Sequence, residues 1–90
     1  MTKKWIFEIN DHAHYLTLEV DITNWQTVVL DGKRIIDLYS GHNGQIKHQL
    51  DFNGHELILT VGAPYFTRKR ILPLSHNCFL TIDGKPATEI

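Results

Sequence analysis

Three features of this 90-residue chain predict an all-β fold, an antiparallel β-sandwich of seven to eight short strands. Apolar residues recur at every second position, the period of half-buried strands, and not at the spacing of a helix. Dipeptides that tolerate positive φ, namely Asn10-Asp11, Asp31-Gly32, Asn53-Gly54 and Asp83-Gly84, divide the chain into short segments. The pattern is also written twice. Asn10 to Leu18 opens one copy and Val28 to Lys33 closes it, while Asn53 to Val61 and Leu80 to Lys85 do the same for the second. From His12 to Asp31 is 19 positions and from His55 to Asp83 is 28, so the second copy carries nine more residues, between Gly62 and Asn77. Two similar hairpin-containing halves fit two facing sheets in one domain spanning residues 1–90.

Taken in order, the first strand is Lys4–Ile9, with Trp5, Phe7 and Ile9 on one face. Asn10-Asp11 turns it into a second strand at His14–Val20, where Leu16, Leu18 and Val20 share a face. Residues 21–25 connect to a third strand, Gln26–Leu30. A two-residue turn at Asp31-Gly32 then sets Leu30 opposite Lys33 and Val28 opposite Ile35, in a fourth strand Lys33–Tyr39. That register puts Val29, Ile36 and Leu38 on the face away from Val28. The hairpin is then apolar on both sides, and one side is left for a neighbour or partner.

Gln45–Phe52 and His55–Val61 form the next hairpin about Asn53-Gly54. Gly62 to Asn77 is the least regular stretch. Within it Tyr65–Leu72 reads as a short edge strand, since Pro64 and Pro73 confine it to an edge. Cys78–Ile82 is the following strand, and Lys85–Glu89 closes the chain at an edge because it contains Pro86.

Composition narrows the function. Nine basic and ten acidic residues give a net charge of -1, which supplies no global field for nucleic acid or an anionic membrane. The N-terminus has only a three-residue apolar stretch, Trp5 to Phe7, before Glu8, short of a secretory signal. A single cysteine excludes an internal disulfide, which favours a reducing compartment. The expectation is a soluble cytoplasmic protein.

Six histidines make a metal site the first chemistry to weigh. His12 and His14, two apart in a strand, share a face, and His55 follows the equivalent turn of the second copy. Such a pair supplies two ligands to zinc or another divalent metal, with the third open to His42, His48, His55 or His76, and His12, His14 and His55 are the candidate set. The competing reading has His12 and His55 bonding the backbone at turn exits. Cys78 lies two positions after His76, but no oxyanion hole or orienting group accompanies the pair, and a cysteine opening a core strand reads as structural. Trp5 and Trp25 read as core anchors. Tyr65, Phe66, Arg68 and Arg70 combine rings with cations, the local recipe for single-stranded nucleic acid, and are candidate binding residues in a solvated loop.

Trp5, Phe7, Asp11, His12, Leu16 and Leu18, followed by Val28-Val29-Leu30-Asp31-Gly32-Lys33, resemble the Fas apoptotic inhibitory molecule family. Leu50, Phe52, Asn53-Gly54-His55, Ile58 and Ile82-Asp83-Gly84-Lys85 continue the likeness through the second half. The resemblance implies a compact antiparallel sandwich that is cytosolic, has no enzymatic activity or cofactor and acts through protein contacts. The family's animal proteins carry two such domains, act in death-receptor signalling and limit protein aggregation. The functional expectation is a protein-contact module that engages a partner or a second copy of itself. A small metal- or ligand-binding sandwich built on the histidines is the alternative.

Overall fold

The computed structural model describes residues 1–21, 23, 25–39, 46–62 and 78–90, and every regular element among them is a strand. In chain order these are β1 (Thr2–Ile9), β2 (His12–Val20), β3 (Trp25–Leu30), β4 (Lys33–Tyr39) and β5 (Ile46–Phe52). They continue with β6 (His55–Val61), β7 (Cys78–Ile82), β8 (Lys85–Pro86) and β9 (Thr88–Glu89). They form two antiparallel sheets, one ordered β4-β3-β2-β1-β9 and the other β5-β6-β7-β8. Each sheet belongs to its own compact unit.

In the first unit, the alternation of β1 and β2 buries Trp5, Phe7, Ile9, Leu16, Leu18 and Val20, joined by Val28 and Leu30 of β3. Leu16 faces both Trp5 and Leu30, and Leu18 faces Val28, so one sheet face is continuous apolar core. The turns form because Asn10, Asp11, Asp31 and Gly32 all take positive φ, as a two-residue turn matching the strand twist requires. Asp21 shapes the β2–β3 connection by accepting from the main-chain N–H groups of Thr23 (2.8 Å) and Trp25 (3.1 Å) and from the Thr23 hydroxyl.

Register in the β3–β4 hairpin departs from a plain two-residue turn. Leu30 pairs with Lys33 and Val29 with Arg34, but Val28 pairs with Ile36, leaving Ile35 as an extra residue. This bulge reverses the alternation beyond it. Ile36 and Leu38 therefore share the face of Val28 and Gln26, where the uninterrupted pattern sets them on the opposite one. It also brings Arg34 and Asp37, three apart, to one face, where they form an ion pair at 3.5 Å.

The second unit repeats the scheme. Leu57, Leu59 and Val61 of β6 are buried with Cys78 and Leu80 of β7, and Leu50 faces Leu57 as Trp5 faces Leu16. Thr60 is buried although it alternates with that set. The expected final strand is two. Lys85–Pro86 pairs with β7, whereas Thr88–Glu89 pairs with β1 in the other sheet. Proline has no N–H to continue a ladder, so the chain leaves the first pairing at Pro86. Lys3 Nζ meets Glu89 Oε1 at 2.9 Å, and Ile90 N–H donates to the Lys4 carbonyl, fastening β9 in place. The predicted strand Tyr65–Leu72 lies outside the described residues.

Candidate functional site: twin histidine–aspartate pairs

Each half contains one imidazole held by the aspartate of its Asp-Gly turn. His14 stands on β2 opposite Phe7, its ring stacked on the phenyl ring with centroids 5.6 Å apart. Its Nδ1–H donates to Asp31 Oδ2 at 2.6 Å, while Oδ1 accepts the main-chain N–H of Tyr15 at 2.9 Å. In the second half, His55 on β6 stands opposite Phe52. Its Nδ1–H donates to Asp83 Oδ2 at 2.7 Å, and Asp83 Oδ1 accepts the Glu56 N–H at 2.9 Å. The main-chain N–H groups of Asp31 and Asp83 reciprocate, donating to the carbonyls of Tyr15 and Glu56.

These contacts show which residues of the two halves correspond. The counterpart of His55 is His14, not His12 as turn-to-turn matching suggests. The β1–β2 hairpin projects two residues further beyond its aspartate contact than β5–β6 does. His14 and Asp31 are 17 positions apart and His55 and Asp83 are 28, so the insertion in the second half is 11 residues rather than nine.

The electrostatics follow from the contacts. Partial burial opposes ionisation of Asp31, but hydrogen bonds from His14 and Tyr15 outweigh it and hold the carboxyl below its ordinary range. At Asp83 the His55 ring is the main cause of the same lowering, with the Glu56 N–H adding to it. An ionised carboxylate has no proton to give, so the shared proton sits on each Nδ1. Such a pair is also the orienting half of an acid–base dyad. Here, though, each carboxylate simultaneously takes a strand N–H, and the unit fastens a turn to the adjacent strand.

A second cluster lies on the other face of the first sheet. Trp25 and Tyr39 are cross-strand neighbours, 42% and 47% exposed, which corrects the reading of Trp25 as a core anchor. Trp25 is the first residue of β3 and alternates with buried Gln26 and Val28, so it faces outward. Its indole N–H donates to Asp37 Oδ1, as does the Thr27 hydroxyl at 3.2 Å. The indole N–H is the main cause of the lowered pKa of Asp37.

The remaining candidates divide plainly. His12 is exposed at the start of β2, on the face of His14. Among the described residues, no three His, Cys, Asp or Glu side chains gather to hold a metal ion, so His12, His14 and His55 are not parts of such a cluster there. Cys78 is buried opposite Val61, a core position. Tyr65, Phe66, Arg68 and Arg70, with His42 and His76, lie outside the described residues. Neither Asp31 nor Asp83 stands out by sequence, because Asp-Gly already has a sufficient reason in the turn. The recurrence of a histidine before both turns was the available signal. No described helix is long and apolar enough to cross a membrane.

Compared with known proteins, the chain matches no family model, no curated protein and no solved structure.

Because no three ligand side chains gather among the described residues, added zinc is expected to leave the thermal melt unchanged, as is a chelator. A zinc-dependent rise in Tm, removed by chelator and lost in H12A/H14A, would support the metal reading.

Proposed function

We propose that this protein is a non-enzymatic binding module that acts through protein contacts. The observation that carries this reading is the Trp25–Tyr39 pair, two large aromatic groups exposed side by side across β3 and β4. Aromatic side chains supply large contact area at low conformational cost and are enriched at interfaces. The indole is held in position by Asp37, which limits the entropy lost when a partner covers it. Use of both histidine–aspartate pairs as turn fasteners supports a role without bond chemistry. The resemblance to the Fas apoptotic inhibitory molecule family supports the same reading.

Immobilised wild-type protein and a W25S/Y39S variant, both folded by far-UV circular dichroism, provide the test. The expected result is that proteins from the source cells retained by the wild type are lost from the variant. Equal retention by both would remove this surface from the function.

A further inference from the structure

We infer that β5 is a self-complementary edge on which a second copy of this chain pairs, antiparallel and two-fold symmetric about Gln49. Among the described residues each sheet has two outer strands, and three of these four edges are guarded. β8 and β9 are two residues long, β8 ends in Pro86, and β4 carries a bulge together with Lys33 and Arg34. β5 has no bulge and no proline, and its one cation, Lys47, is matched within the strand by Asp51. Its seven residues pair with β6 in unbroken register, and among the described residues no strand lies on its other side.

The β5 sequence, Ile46-Lys47-His48-Gln49-Leu50-Asp51-Phe52, reads as its own complement. Two antiparallel copies centred on Gln49 set Lys47 of each against Asp51 of the other. Ile46 then meets Phe52, and His48 meets Leu50. A two-fold axis perpendicular to the sheet keeps each residue on its own face. The opposite charges therefore meet on the exposed face, and the half-buried Ile46, Leu50 and Phe52 meet on the other. Burial lowers the pKa of His48, which favours the neutral ring for a place beside leucine.

The main chain permits the same register. Asn53 and Gly54 both have positive φ, so Phe52 and His55 form the hydrogen-bonded pair that closes a two-residue hairpin. Alternation from there makes Leu50 and His48 bond to β6, and turns the N–H and C=O groups of Lys47, Gln49 and Asp51 outward. Those three residues are the ones the two-fold register sets against one another, giving about six main-chain hydrogen bonds.

Charge exchange tests the register. Light scattering from about 10 μM to about 1 mM should show wild-type mass rising from 10.4 kDa toward twice that value. K47D and D51K each place like charges opposite one another and should weaken association at least tenfold. The double variant K47D/D51K restores opposite charges and should recover it. Circular dichroism establishes that all four proteins are folded. A wild type that stays monomeric, or single variants that associate as well as wild type, would overturn the inference. So would a double variant weaker than both singles. Neither Trp25 nor Tyr39 belongs to β5, so a monomer that still loses its partners in W25S/Y39S would overturn this inference alone.

Discussion

Replacing Trp5 with alanine should cost about 3–5 kcal/mol of folding free energy, whereas the same change at Trp25 should cost less than about 1 kcal/mol. The two residues are chemically identical and differ in what surrounds them. Trp5 is 2% exposed, lies between Leu16 and Glu89 in adjacent strands, and has Phe7 two positions along on the same face. Its removal opens a cavity in the middle of a sheet face whose neighbours are already fixed by main-chain pairing, and such a site collapses poorly. Trp25 is 42% exposed at the end of β3, and truncating it leaves Asp37 to water, Thr27 and Arg34. Domains of this size are stable by roughly 5–15 kcal/mol, so the Trp5 variant keeps little margin. Its Tm should fall by more than about 12 °C. Urea melts followed by far-UV circular dichroism measure both, because removing tryptophan alters the fluorescence signal itself. Equal losses at the two positions would contradict the burial difference.

The contrast also shows where sequence is informative. Strand positions were legible because period-two alternation and positive-φ turns are local properties. Leu16, Leu18 and Val20 fall on one face whatever the rest of the chain does. The β3–β4 register was not legible, since a single inserted residue at Ile35 changes which side chains share a face and carries no composition signal. Trp25 was misread for a related reason. Hydrophobicity suggests burial, but position in the alternation decides it, and the strand begins on the outward-facing residue. The division of Lys85–Glu89 between two sheets depends on a vacant edge of β1 about 80 residues earlier in the chain, which no local pattern encodes. For the histidine–aspartate pairs both partners were visible, but the residue numbers that join them follow only from pairing β2 with β3 and β6 with β7.

Exchanging both turn aspartates for asparagine should lower stability at neutral pH and flatten its dependence on acid. Asparagine suits the test because it keeps the positive-φ tolerance of the turn and one acceptor oxygen, while it removes the charge and the second acceptor. In the wild type, the folded-state pKa values of Asp31 and Asp83 lie below their ordinary value. A depressed folded-state pKa means that the unfolded chain takes up protons first as pH falls. The contribution is therefore complete above the unfolded value of about 4 and disappears as pH falls through the folded values. Asp21 and Asp37 are lowered as well, but they are common to both proteins and cancel in the difference. D31N/D83N should therefore melt a few degrees below wild type at pH 7, and the two curves should draw together as pH falls below about 4. Urea unfolding at fixed pH steps measures that gap. A gap that stays constant across the acid range would mean that charge on these two carboxylates contributes nothing, and that the hydrogen bonds to His14 and His55 act through geometry alone.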